Sequence, residues 1–261
     1  MIKGNLHTHT YYCDGKNAPE EIVKAAIGKG FSYIGFSGHS RMDFEADYVM
    51  SEQNEEKYFE EITALKEKYA EKIKILCGME KDFFSSIDTK RYDYTIASVH
   101  YVCCDGKYYD VDLSPDDLGK VIKKYFGGDP YSYAEEYYRL VSKLEGDVIG
   151  HFDLLTKFDK NNTVFSPKEE RYKKAALSAL EVLLEKNNIL EVNTGAMARG
   201  YKDMPYPDVW ILEEIKKRSG RIVLTSDCHD AKNLDYGFEM AEKMLYKMGF
   251  KDIYNIDFMS K

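Results

Sequence analysis

The feature that most constrains this chain is an alternation. Seven short apolar runs are separated by longer segments with helical spacing. The runs are Lys3–His9, Ser32–Ser37, Ile73–Gly78, Tyr92–Tyr101, Asp147–His151, Ile189–Asn193 and Arg221–Ser226. Most are rich in Val, Ile, Tyr or Phe, the composition of buried strands. Between them, Pro19 opens a helix over Glu20–Lys29, with acids in its first turn and Gly30 at its close. Glu52–Glu71 repeats Tyr58, Phe59, Ile62, Leu65 and Tyr69 near helical spacing. Ser114 and Pro115 read as the N-cap and first residue of a further helix. Ser132–Leu144, Ser166–Asn187, Asp208–Ser219 and Asp235–Met248 complete the helical set, and the tyrosines of Tyr131–Tyr138 are spaced for packing. Such alternation predicts an α/β fold with parallel strands and crossover helices, either a barrel or a doubly wound sheet. The sequence shows no repeat, low-complexity tract or linker, so residues 1–261 read as one domain, close to the roughly 250 residues of an α/β barrel.

Charge and cysteine usage exclude several classes of function. The net charge of -8 lacks the basic footprint of a nucleic-acid binder, although a local anion site remains open if cations reverse the sign there. No run of about 18 apolar residues is present, so no membrane span is expected. The first residues, Met-Ile-Lys-Gly-Asn-Leu-His, lack the apolar stretch of a secretory signal. Five cysteines without a C-x-x-C argue against a disulfide framework and fit a reduced, cytoplasmic compartment.

The six histidines carry the functional signal. His7 and His9 end the first run, His39 follows the second, His100 ends the fourth, His151 ends the fifth, and His229 follows the last with Asp227. Glu80 lies just after the third run and Asp14 just beyond the first. All therefore fall at the C-terminal ends of expected strands, where barrels build their sites. In extended backbone, residues i and i+2 project to one side, so His7 with His9, and Asp227 with His229, can reach one cation. Six imidazoles and three carboxylates exceed the four donors of one tetrahedral zinc and suit two or three cations, with Glu80 bridging a pair. The donor set suits zinc, iron or manganese. Such centres activate water and stabilise attacking and leaving oxygens in phosphoryl transfer.

The ordered motifs resemble those of the PHP phosphoesterase family, and within it the histidinol-phosphate phosphatases. They are Leu6-His7-Thr8-His9-Thr10 with Cys13-Asp14-Gly15, Ser37-Gly38-His39-Ser40, Gly78-Met79-Glu80, Ser98-Val99-His100-Tyr101, Gly150-His151-Phe152-Asp153, Glu191-Val192-Asn193-Thr194 and Thr225-Ser226-Asp227-Cys228-His229. The resemblance spans Leu6 to His229 and implies a distorted (β/α)7 TIM-like barrel with a trinuclear metal site at the C-terminal ends of its strands. It implies that His7, His9, Glu80 and Asp227 hold one metal, Glu80, His100 and His151 a second, and Asp14, His39 and His229 a third. Asp14 and Gly38 depart from the His and Asp that many relatives carry, which makes the third metal the one in question.

The implied activity is hydrolysis of the small phosphate ester L-histidinol phosphate in histidine biosynthesis, by attack of a hydroxide bridging the metals at Glu80. Arg199 is the leading candidate for gripping phosphate bidentately, with Lys157 and Arg41 as further candidates. Asp227 or His229 would protonate the departing alkoxide. Three alternatives stay open: a PHP phosphoesterase acting on another small ester or a nucleotide, an amidohydrolase, and a non-catalytic metal-binding module. The sequence says nothing of oligomeric state.

Overall fold

A computed structural model describes residues 2–112 and 114–254. Its order is β1 (Gly4–Asn5), α1 (Pro19–Gly28), β2 (Tyr33–Phe36), α2 (Glu52–Lys68), β3 (Lys74–Asp82), β4 (Tyr94–Ser98), β5 (Tyr101–Cys104) and β6 (Lys107–Asp110). There follow α3 (Pro115–Tyr125), α4 (Pro130–Val141), β7 (Val148–Ile149), α5 (Glu170–Glu185), β8 (Ile189–Asn193), α6 (Gly195–Ala198), α7 (Val209–Lys217), β9 (Arg221–Thr225) and α8 (Phe238–Lys247). Local chemistry explains the helix starts. Pro19, Pro115 and Pro130 each stand in a first turn. Ser51 and Ser114 cap α2 and α3 by accepting from the backbone N–H three residues on, which quenches a helix-end donor. The tyrosines of α4 turn inward, with Tyr133, Tyr137 and Tyr138 all buried.

Seven strands lie side by side in the order β1-β2-β3-β4-β7-β8-β9, every neighbouring pair parallel. With helices between them they form a nearly closed, distorted (β/α)7 barrel. The seam between first and last strands closes just beyond their ends. Thr8 pairs with Cys228, His9 N–H donates to Cys228 O at 2.8 Å, and Cys228 N–H donates to His7 O at 2.9 Å. Below the seam, Asn5 Nδ2 donates to Ser226 Oγ at 2.7 Å.

Leu6, Tyr33, Leu76, Tyr94, Ile96, Val148, Ile189 and Val223, one or two from each of the seven segments, fill the barrel interior. Tyr94 lies across it where Gly35 and Gly78 have no side chain, and its hydroxyl donates to Leu6 O and Phe36 O. A larger apolar layer packs the helices onto the outside of the strands. Among the described residues no helix is long and apolar enough to cross a membrane.

Two segments differ from the sequence expectation. β3 runs on to Asp82, so Glu80 lies inside a strand, where its N–H and C=O pair with Gly38 O and Ser40 N at 3.1 and 2.9 Å. The fourth run does not continue through Tyr101. The chain breaks at Val99 and His100 and then forms an antiparallel hairpin, β5–β6, apart from the barrel.

Candidate metal centre and substrate cavity

Parallel strands all point their C-terminal ends one way, and here those ends converge on Glu80. Its carboxylate is 1% exposed and faces five imidazoles. Oε2 lies 3.1 Å from His7 Nε2, 3.5 Å from His9 Nε2 and 3.0 Å from His39 Nδ1. Oε1 lies 3.0 Å from His151 Nε2 and 3.4 Å from His100 Nε2, and it accepts from Ser98 Oγ at 2.8 Å. The two oxygens thus look toward different imidazole sets. Asp227 Oδ1 joins the first set, 3.2 Å from His9 Nε2 and 3.6 Å from His7 Nε2. Asp14 gathers a third: Oδ2 lies 3.1 Å from His229 Nε2, and Oδ1 lies 3.8 Å from His39 Nε2. His39 and His9 each turn one ring nitrogen to Glu80 and the other to Asp14.

His7 and His9 reach the same point because their backbone is extended, while Thr8 turns away to donate to Gly35 O. The second pair converges differently. Asp227 has a φ of 45°, a left-handed conformation uncommon for a residue with a side chain and concentrated at functional sites. A side chain at Gly195 would strike Asp227, so only glycine lets the turn after β8 pass so close.

The donor set fits a divalent cation. His7 Nε2, His9 Nε2 and Glu80 Oε2 are shut off from solvent and have no hydrogen-bond partner, although both nitrogens lie within 3.5 Å of the Glu80 oxygen. Leaving such groups unpaired is costly unless something binds them together. Three overlapping clusters, His7-His9-Glu80, His39-Glu80-His100 and His9-Asp14-His39-His229, bring their ligand atoms within metal-sharing distance. Electrostatics show buried carboxylates calling for positive charge: burial opposes it, yet Glu191, Glu80 and Asp227 raise His7, and Glu80 and Asp82 raise His100, well above the ordinary imidazole value. Burial opposes ionisation of Glu80, yet His7, His39 and His100 hold it well below the usual carboxylate range. Burial, with His229 and His39 alongside, lowers His9 to about 3, leaving it neutral as a ligand must be.

Above this floor opens a cavity of about 320 Å³. Its outer wall holds Tyr48, Asp110, Asp112, Leu154 and Lys157, and Arg199 stands beside Asp227 and His229. Arg199 Nη2 lies 3.0 Å from Asp227 Oδ2, Nη1 lies 3.1 Å from His229 Nδ1, and the side chain is a third exposed. Lys157 also reaches the cavity, but its ammonium is bound to Asp112 Oδ2 at 2.6 Å and lies 5.3 and 5.2 Å from the ring centres of Phe158 and Tyr201. Arg41 does not line the cavity. Its guanidinium turns to Glu55 at 3.2 Å, because α2 presents that carboxylate behind the loop.

The profile of the PHP domain matches residues 5–195. This chain belongs to the PHP family. Within the PHP family, the histidinol-phosphatase of Bacillus subtilis is 26% identical over 267 residues, covering 92% of this chain and 98% of that protein. A probable histidinol-phosphatase of Schizosaccharomyces pombe is 25% identical, covering 98% and 89%. The crystal structure of histidinol phosphate phosphatase from Lactococcus lactis subsp. lactis, complexed with zinc, L-histidinol and phosphate, superposes with a TM-score of 0.73 at 25% identity over 96% of this chain and 95% of that one. A Listeria monocytogenes structure shares the fold at a TM-score of 0.78 and 20% identity, covering 91% and 99%.

The PHP centre depends on residues that the spacing of histidines does not reveal. Glu191, wholly buried on β8, accepts from His7 Nδ1 at 2.5 Å and Thr225 Oγ1 at 2.6 Å through Oε1. Through Oε2 it accepts from His151 N at 2.7 Å and Asn193 Nδ2 at 3.0 Å. A proton fixed on His7 Nδ1 leaves the Nε2 lone pair facing Glu80. Asp82 does the same for His100, lying 3.2 Å from its Nδ1 and accepting its backbone N–H at 2.8 Å. For Asp82 the available signal is its place two residues past Glu80 in one strand, whereas Glu191 stands on a strand that carries no ligand. Asp110 and Asp112 were equally hidden, although Cys104-Asp105-Gly106-Lys107 is a two-residue hairpin turn, with φ of 50° and 71° at its centre.

Proposed function

We propose that this chain is a single-barrel, metal-dependent phosphomonoesterase that hydrolyses L-histidinol phosphate to L-histidinol and phosphate. The observation that carries the reading is the set of unpartnered imidazole nitrogens around the buried Glu80 carboxylate. It is supported by the histidinol-phosphatases that match this chain along almost their whole length. His7, His9, Glu80 and Asp227 would hold one cation, Glu80, His100 and His151 a second, and Asp14, His39 and His229 a third. Bound zinc, manganese or iron supplies Lewis acidity and a nucleophilic water at neutral pH.

The chain's own residues supply the rest. Asp14, Glu80, Asp112 and Asp227 outnumber Lys157 and Arg199 in the cavity, so a phosphate dianion is admitted only once cations offset the carboxylates. Glu191 and Asp82 lock His7 and His100 in one tautomer, which keeps the ligand geometry fixed through the reaction. Arg199, fastened to Asp227, offers its remaining N–H groups to phosphoryl oxygens. Asp227 and His229 lie 3.5 Å apart, and the one freed from a cation would protonate the departing alkoxide. The absence of a basic stripe and the net charge of -8 disfavour long nucleic acids as substrate. A cytoplasmic setting suits the unpaired cysteines.

The test pairs elemental analysis with a phosphate-release screen. Nine donors predict about two to three transition-metal equivalents per chain. L-Histidinol phosphate should lead a panel containing nucleotides and 3′-phosphorylated oligonucleotides. One equivalent or less at saturation, or a nucleotide as best substrate, would refute the reading.

A further inference from the structure

The cavity has two chemically distinct ends. One is the metal-facing floor. The other is set by the hairpin that follows His100, where Tyr101 pairs with Asp110 and Val111 N–H donates to His100 O at 2.8 Å. This register holds Asp110 and Asp112 in the cavity wall, one turn of chain from a ligand. The two acids differ in their partners. Asp112 is neutralised by Lys157 at 2.6 Å. Asp110 Oδ1 accepts the Asp112 N–H at 2.8 Å and its carboxyl lies against that of Asp112, while among the described residues no Lys, Arg or His forms an ion pair with it. Burial and the adjacent Asp112 carboxylate push the Asp110 carboxyl up to about 7, the condition of an acid lacking a counter-charge. The Tyr48 hydroxyl lines the same cavity, is shut off from solvent and has no hydrogen-bond partner. Its ring stacks on Tyr101, the residue opposite Asp110.

We propose that Asp110, with the Tyr48 hydroxyl, forms a cation subsite that binds the positively charged nitrogen group of the substrate's alcohol portion while the floor binds its phosphate. The proposal rests on the substrate reading above. An ammonium or imidazolium between these groups would give Asp110 its missing counter-charge and Tyr48 its missing partner. A phosphate ester with a neutral tail would leave both unpaired, and this is how a buried polar site rejects the wrong ligand.

The experiment compares metal-loaded wild type, Asp110→Asn and Tyr48→Phe on L-histidinol phosphate and on phenyl phosphate, with L-histidinol and inorganic phosphate as inhibitors. Asp110→Asn should lose about 10- to 100-fold in kcat/KM on L-histidinol phosphate, the scale of one hydrogen bond to a charged group. Phenyl phosphate hydrolysis should change little. L-Histidinol should inhibit Asp110→Asn more weakly by a similar factor, while inhibition by inorganic phosphate stays put. Tyr48→Phe should shift L-histidinol inhibition in the same direction by less. Equal losses on both esters, or unchanged L-histidinol inhibition in both variants, would overturn the subsite while leaving the phosphatase reading intact. A wild type that turns over phenyl phosphate but not L-histidinol phosphate would overturn the substrate reading, and the subsite with it.

Discussion

The floor of the cavity is made of strand ends, whereas its outer wall is made of a hairpin and loops, and the two achieve precision by different means. On the floor, ligands stand on or beside a hydrogen-bonded ladder, and His7 and His100 are held again from behind, by Glu191 and Asp82. On the wall, Asp112 and Lys157 hold one another, Tyr48 leans on Tyr101, and the group hangs from the β5–β6 hairpin and the loops after β2 and β7. Rigid placement suits chemistry that is the same for every phosphate ester. A wall of separately anchored side chains suits recognition of the part that varies. The comparison predicts that floor substitutions abolish turnover on all substrates and that wall substitutions change which substrate is preferred.

The largest effect should come from Glu80→Gln. It removes one charge between two ligand sets, and kcat should fall by several powers of ten for L-histidinol phosphate and phenyl phosphate alike, on the scale of lost electrostatic preorganisation. Activity within tenfold of the parent at full metal loading would break the distinction between floor and wall. Next comes Arg199→Ala, at the border of the two. It should keep its metals and lose about 2–4 kcal/mol of transition-state stabilisation, the usual effect of deleting one oxyanion donor. Arg199→Lys should recover part of this, because the charge survives and the planar fork does not. A rise in KM alone would move Arg199 to the wall; a fall in kcat places it with the floor.

Glu191→Gln tests whether support from behind matters as much as ligation. Chelator competition should show metal retention weakened by about 10- to 100-fold, as for other carboxylates that orient a ligating histidine. Retention equal to the parent would show that the barrel backbone alone positions His7. The smallest effect belongs to Arg41→Ala. With its guanidinium turned to Glu55, the side chain should be dispensable, and kcat/KM should stay within about twofold, as for most surface substitutions.

The floor was far more legible in the sequence than the wall. Period-two spacing placed His7 and His9 on one side, and apolar runs located the strand ends that carry His39, His100 and His151. The apolar run ends at Gly78 and leaves Glu80 beyond its strand; pairing with Gly38 and Ser40 extends the ladder past it. Glu191 stands in a sequence motif that names no partner for it, since a buried acid inside an apolar strand declares its partner only in three dimensions. Lys157 and Arg41 illustrate the opposite problem. Each is a cation just past a strand, and whether it faces phosphate is settled by distant acids, Asp112 and Glu55, that no local pattern connects to it.

The seam of the barrel has a consequence for the birth of the molecule. Its closing hydrogen bonds run between the peptide groups of His7, His9 and Cys228, and its clasp joins Asn5 to Ser226, 221 positions apart. On a ribosome the amino-terminal end appears first and must wait. His7 and His9 emerge with only Asp14 near them in the chain, while Asp227 and His229 arrive among the final segments of the described protein. An ion met early would find an incomplete set of donors on an open sheet. The full centre is therefore accessible only to a chain that has already been translated past His229, so loading of all its donors with metal follows synthesis of every strand that supplies them.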